Sequence, residues 1–263
     1  LSQLSTQGRS ACHISIDRSK RFLFVTNYSS GDFAVFLLEK DGSLLKLINF
    51  LRHDGASGVI PDRQEAPHPH CTVTSYDNKA VFVADLGTDW VYWYAFDAEN
   101  SNLKVDMGKS LQLLGHGPRH LSLGAESDNL LFLSCELQPK ITILSTQGKL
   151  SLLSEVVVST GATFLSEIKY FRKGTQELVG AEAGLEEVVI YELDKSKNPP
   201  QLKLSIRKKV YNWPRHFNLN ANRNRLIVAC QKESLVVEYA YEAGQLNESK
   251  KTAIATPSYV QYF

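Results

Sequence analysis

Five segments of this chain share one internal rhythm, and that rhythm constrains the fold more than any other feature. They read ACHISIDRSKRFLFVTNYSSGDFAVFLL, HPHCTVTSYDNKAVFVADLGTDWVYWYAF, GPRHLSLGAESDNLLFLSCELQPKITIL, LSEIKYFRKGTQELVGAEAGLEEVVIYEL and WPRHFNLNANRNRLIVACQKESLVVEYAY. Each runs from a short alternating strand through a polar turn, such as Asp17-Arg18-Ser19 or Asn220-Ala221-Asn222, into an apolar strand. A second turn and another alternating strand follow. Superposed on His13, His70, His120, Ile168 and His216, the repeats are spaced by 57, 50, 48 and 48 residues. A period of this size with three to four strands per unit marks the blades of a β-propeller. Helical periodicity is nearly absent, and β-branched and aromatic residues fall in short runs between turn residues.

The strands explain themselves. In WVYWYAF, Val91, Trp93 and Ala95 point one way and Tyr92, Tyr94 and Phe96 the other, because side chains alternate along a strand. Both sets are apolar, as a sheet stacked between two neighbours requires. The expected fold is all-β, a single propeller domain over residues 1–263 with five full repeats and a terminal strand in TPSYVQYF. At about 50 residues per blade, the chain is expected to derive from a seven-bladed parent and to lack its first blade or more, roughly 80 to 90 N-terminal residues. A six-bladed ring with a degenerate closing blade is the alternative.

Composition narrows the partners. The net charge of +1 offers no surface for nucleic acid or for an anionic membrane. No run approaches the roughly 18 apolar residues of a membrane span. Cys12, Cys71, Cys135 and Cys230 are widely spaced and form no CxxC pair, so no zinc ribbon and no disulfide framework is expected. Reduced cysteines in a cytoplasmic protein are the expectation, and the oligomeric state is not set by the sequence.

In a propeller, residues entering the first strand of each blade and residues leaving the second strand meet at one mouth of the central channel. That geometry gathers His68, His70, Arg119, His120, Arg215 and His216 from the entrances, and Asn27, Asp85, Glu136, Glu182 and Gln231 from the turns. Arginines, imidazoles and carboxylates at one mouth suit acid–base chemistry on an anion. The pair His68 and His70 also has the H-x-H spacing of metal ligands. No second ligand pair has such spacing and arginines repel a divalent cation, so no metal and no cofactor is expected. For His120 and His216, burial against a neighbouring blade's backbone stands level with a role in binding. Asp85 in ADLGTD reads first as an acceptor for its own turn.

At these residues the chain resembles a known family. RQEAPHPH, VADLGTD, GHGPRH, NWPRHF and VTNYSSG are similar to the motifs of the lactonase family of seven-bladed propellers, and the similarity spans essentially the whole chain. The family includes propeller-type 6-phosphogluconolactonases and carboxy-cis,cis-muconate cyclases. The resemblance implies hydrolysis of 6-phosphogluconolactone or a related sugar lactone, with His70, Arg119, Glu136 and Arg215 as the catalytic set. His68, His120, His216 and Asp85 are the expected substrate contacts. Arginine's planar fork suits a carboxylate, a phosphate or a developing oxyanion, and His70 titrates near neutrality. Gly115 and Gly117 allow the tight backbone path that presents Arg119. The fourth repeat departs from the family pattern: Ala181, Glu182 and Ala183 stand where an Asn-Arg-Gly turn is usual. A cycloisomerase forming a muconolactone, and a non-catalytic binding scaffold, are the alternative functions.

Overall fold

The computed structural model describes residues 2–159, 164–183 and 186–262, with the side chains of Glu182 and Ala183 left aside. The expected mouth position of Glu182 therefore lies outside the described part. The described residues form five antiparallel sheets, each built from consecutive strands. The first holds β1 (Ala11–Ile16), β2 (Phe22–Asn27), β3 (Asp32–Leu38) and β4 (Leu44–Arg52). The second holds β5 (Pro69–Thr74), β6 (Ala80–Asp85), β7 (Trp90–Asp97) and β8 (Asn102–Val105), with the short β9 (Leu111–Gln112) beside β7. The third comprises β10 (Pro118–Leu123), β11 (Leu130–Cys135), β12 (Lys140–Ser145) and β13 (Ser151–Val157). In the fourth are β14 (Leu165–Lys173), β15 (Gln176–Ala183), β16 (Glu187–Asp194) and β17 (Gln201–Lys209). The fifth comprises β18 (Pro214–Leu219), β19 (Arg225–Cys230), β20 (Leu235–Glu242) and β21 (Gln245–Ala253). Sheets of four strands joined in chain order by tight turns are propeller blades.

The chain divides into two compact units, residues 1–131 with 144–152 and residues 132–143 with 153–263. In the first unit, the period-two alternation of the strands decides the packing. Tyr92, Tyr94 and Phe96 join Val81 and Val83 against Phe22, Phe24, Phe33 and Val35 of the first sheet. Trp93, one residue out of phase, turns to the other face and meets Phe82 edge-on, 4.9 Å between ring centroids. Burying such a ring contributes on the order of 2–3 kcal/mol, so a one-residue slip that exposed this face is strongly disfavoured. In the second unit, Phe171, Val188 and Ile190 pack with Phe217, Val228 and Tyr239 in the same manner.

The innermost strands share a device that the superposition on histidines misplaces. Pro69 pairs with Asp85 and Cys71 with Ala84, so β5 carries one extra residue, His70. Pro214 pairs with Cys230 and His216 with Ala229, so Arg215 is the extra residue of β18. Ala11 pairs with Asn27 and His13 with Thr26, leaving Cys12 extra in β1. These are β-bulges, which bend a strand and re-aim a side chain. His70 is therefore equivalent to Arg215 and Cys12, and Cys71, not His70, is equivalent to His13 and His216. Ala11, Pro69 and Pro214 are the equivalent positions before the bulge, so a superposition that places His70 on His13 and His216 is off by one residue. The terminal strand expected in TPSYVQYF is also corrected: residues 254–262 form no strand and instead run past the fifth sheet, with Val260 buried against Ala229 and Val236.

Candidate active site

In the first unit the site grows from the corner that leads into β5. Asp85, fully buried at the end of β6, accepts the N–H groups of His68 at 2.8 Å, Gly87 at 3.0 Å and Thr88 at 3.1 Å through one oxygen. Its other oxygen takes His53 Nδ1 at 2.6 Å. Asp85, expected to contact substrate, thus has its acceptors turned inward on the protein. Gly87 lies so close to the preceding loop that a Cβ there would sit 1.8 Å from the Ala66 carbonyl oxygen. Burial pushes the Tyr92 hydroxyl beside this cluster up to about 12, against a hydrogen bond to Thr88. Tyr94 is raised further, by burial first and then by the charges of Tyr92 and Asp85.

His68 is spoken for on both ring nitrogens: Nδ1 lies 2.9 Å from the Tyr28 carbonyl and Nε2 3.1 Å from the Glu65 carboxylate. Tyr28 lies flat on its ring, centroids 4.3 Å apart. His68 is therefore a wall of the corner, and its partners leave neither nitrogen for a metal. Among the described residues, no group of three or more His, Cys, Asp or Glu side chains is arranged to hold a metal ion.

His70, 5% exposed, meets the edge of Tyr28 at 5.7 Å and the His120 ring at 5.1 Å. His120 in turn packs edge-on against His13 at 5.4 Å. His13 is itself placed by the Thr72 N–H, 3.5 Å from its Nδ1. The structure thus brings together the rings of His70, His120 and His13; Arg119, which precedes His120 in β10, is 4% exposed. Arg119 is delivered by the GHGP loop. Gly115 and Gly117 adopt left-handed φ of 75° and 62°, which turns both of their N–H groups onto the buried carboxylate of Asp89, at 2.6 and 2.8 Å. A non-glycine residue disfavours that backbone region.

In the second unit, Glu136 follows β11 and is buried, while Arg215 is half-buried at the bulge of β18. His216 is fixed at both nitrogens. The Val260 N–H donates to Nδ1 at 3.3 Å, so the ring proton sits on Nε2 and points at Glu167, 3.1 Å away. Tyr259 covers the ring at 4.2 Å. A hydroxyl relay also ties neighbouring strands of this unit: Ser134 donates to the Ser166 carbonyl, and Ser166 to the Pro214 carbonyl.

Sequence reasoning passed over His53, Asp89 and Glu167. Their side chains act on partners 26 to 49 residues away, a relation that no local pattern shows. The one available signal was position: Asp89 closes the same acidic turn as Asp85. A separate cleft of about 490 Å³ in the first unit, lined by Tyr76, Trp93, Lys109 and Glu126 among others, includes none of the expected site residues.

Comparison with known proteins now gives the class. The sequence profile described as "Lactonase, 7-bladed beta-propeller" matches residues 1–262, and the chain belongs to that family. A 6-phosphogluconolactonase of Formosa agariphila is 25% identical over 261 residues, covering 95% of this chain and 73% of the relative. A 6-phosphogluconolactonase of Bacillus subtilis is 26% identical over 251 residues, covering 91% of this chain and 69% of its own. Among solved structures, the periplasmic gluconolactonase of Pseudomonas aeruginosa is 25% identical, with a TM-score of 0.86 over 97% of this chain and 74% of that one.

Proposed function

We propose that this protein hydrolyses a sugar lactone, with 6-phosphogluconolactone as the substrate to test first. The observation that carries the proposal is the buried His70 ring packed on His120, the residue that follows the buried Arg119, in the first unit of a lactonase-family chain. A charged arginine screened from water acts far more strongly on a developing charge than one in solvent.

The reaction follows from these groups. His70 takes a proton from water as its oxygen adds to the lactone carbonyl carbon. The carbonyl oxygen becomes an oxyanion, which the Arg119 guanidinium steadies. Collapse of the intermediate breaks the bond to the ring oxygen, and that oxygen recovers the proton from the imidazolium. One lactone and one water give one hydroxy acid, and the imidazole is restored. Arg215 is assigned to the anionic group of the substrate and Glu136 to orienting or assisting the base. These two roles rest on the family likeness, and each is tested by its own substitution. Three of the four cysteines are buried, and their wide spacing with no CxxC pair supports a reducing, cytoplasmic setting.

The test is hydrolysis of 6-phosphogluconolactone and gluconolactone above their spontaneous rates, with cyclisation of a carboxymuconate assayed in parallel. His70→Ala is expected to lower kcat by about 10²–10⁴, and Arg119→Ala by about 10²–10³. Lactone turnover unaffected by both substitutions rejects the assignment. Turnover of the muconate alone redirects it to the cycloisomerase.

A further inference from the structure

We propose that His53, a residue outside the catalytic set, is a positioning residue that holds His70 in its working orientation through Asp85. The inference rests on the lactonase proposal for the role of His70, and its geometry lies wholly within the first unit.

His53 follows the last strand of the first sheet, where its N–H is bonded to the Gly31 carbonyl at 2.9 Å. Its ring reaches into the second sheet and is almost wholly buried, 4.1 Å from the Tyr92 ring. A carboxylate only accepts, so Nδ1 carries the proton given to Asp85 at 2.6 Å, and Nε2 accepts from the Tyr94 hydroxyl at 3.0 Å. Tyr94, His53 and Asp85 thus form a buried chain with every donor facing an acceptor. A buried carboxylate is tolerated when hydrogen bonds replace its lost hydration, and His53 supplies the bond on the oxygen that the turn leaves open.

What Asp85 then does concerns the corner before His70. Its other oxygen holds the His68 N–H, while the His68 carbonyl accepts from Leu86 N at 3.1 Å. Asp85 also faces Pro69 in the strand ladder. The residue after Pro69 is the bulged His70, whose aim depends on where the ladder is pinned on either side. Gln64, bonded to the Leu86 carbonyl at 2.8 Å, fastens the incoming loop to the same turn. Remove His53, and Asp85 loses the partner that fixes its rotation. The pin at His68 loosens, and the imidazole beyond it loses its aim. The same ring that joins the two sheets therefore sets the direction of the proposed base.

The experiment uses the full chain in four forms: wild type, His53→Leu, His53→Asn and Tyr94→Phe. The ring resonances of His70, assigned by their loss in His70→Asn, are recorded beside kcat and KM on 6-phosphogluconolactone. His53→Leu is expected to lower kcat about 100-fold with KM changed no more than about two-fold, as misplacement of a catalytic group does. His53→Asn, whose side-chain amide reaches Asp85 in place of Nδ1, is expected to recover at least about ten-fold of that loss, and Tyr94→Phe to fall between. The His70 resonances should move in His53→Leu and return in His53→Asn. A cooperatively folded His53→Leu with unchanged kcat and unchanged His70 resonances overturns the proposal, as does His53→Asn equal in damage to His53→Leu. If the wild type hydrolyses no lactone, the lactonase assignment is what has failed. The resonances alone then decide the positioning.

Discussion

Asp89 and Gly117 are joined by a 2.8 Å hydrogen bond that spans 28 residues of chain, from the glycine N–H to a carboxylate with no solvent exposure. With the matching bond from Gly115, it makes one buried side chain responsible for the path of the loop that delivers Arg119. Asp89→Ala leaves two buried N–H groups without acceptors, at a cost of about 1–3 kcal/mol for each group. The expected result is a marked fall in denaturation midpoint, together with a kcat loss of about ten-fold or more in the protein that remains folded. Asp89→Asn keeps one acceptor and should fall between. Urea denaturation and steady-state kinetics on the same samples check this, and a destabilised variant with full kcat would free Arg119 from dependence on the loop.

His216 should separate from His70 under substitution. Both were expected at one mouth, yet the nitrogens of His216 are engaged by Val260 and Glu167 within the second unit. His216→Phe preserves the ring against Tyr259 and removes both bonds. It should cost about 1–3 kcal/mol of stability and change kcat by less than about three-fold. A kcat loss as large as that of His70→Ala would return His216 to the substrate contacts. Denaturant titration and kinetics separate the two outcomes.

The blades were legible because alternation, turn residues and period are local, and each sheet is formed from neighbours in sequence. The same locality explains what stayed hidden. Identity of side chain suggested that His70 matched His120, whereas the ladder matches the bulged His70 with the bulged Arg215; a bulge adds one residue without altering composition. TPSYVQYF alternates like a strand, but among the described residues it has no ladder and is held by Val260 on His216. His53 and Glu167 look like ordinary surface residues in sequence, because only the fold supplies their buried partners.

Gly87→Ala tests the closeness of the loop to the turn at Asp85. The added Cβ would meet Ala66 O at 1.8 Å, Ala66 C at 2.9 Å and His68 N at 2.9 Å, all backbone atoms that have no rotamer to adopt. The loop has to move bodily, and an overpacked site of this kind costs about 1–3 kcal/mol or more. Because His68 N is one of the three, the displacement acts on the His70 corner directly. The expected outcome is lower stability with a kcat loss exceeding that of Ser57→Ala, a substitution on the same loop. A variant as stable and active as wild type would show that the loop yields freely.

Acid should weaken the first unit through Asp17. Burial works to raise the pKa of this carboxyl, but bonds from the Ser19 hydroxyl, the Phe22 and Ser19 N–H groups and the Asn78 amide together hold it below its ordinary value. The Arg21 N–H adds a further bond at 2.8 Å. Since the folded pKa is depressed, the unfolded chain binds the proton more readily over the interval between the two values. Unfolding is therefore favoured as pH falls through that interval, and the stabilising contribution is complete only above the unfolded pKa near 3.9. Asp17→Asn cannot titrate, so the stability difference from wild type should be largest near neutrality and shrink below about pH 4. Asn78 reaches Asp17 from the second sheet at 2.9 Å, so Asn78→Ala should lift the Asp17 pKa and move that acid limb to higher pH. Urea titrations from neutral pH to about pH 3 decide the matter, and parallel curves for wild type and Asp17→Asn would remove Asp17 from the acid response.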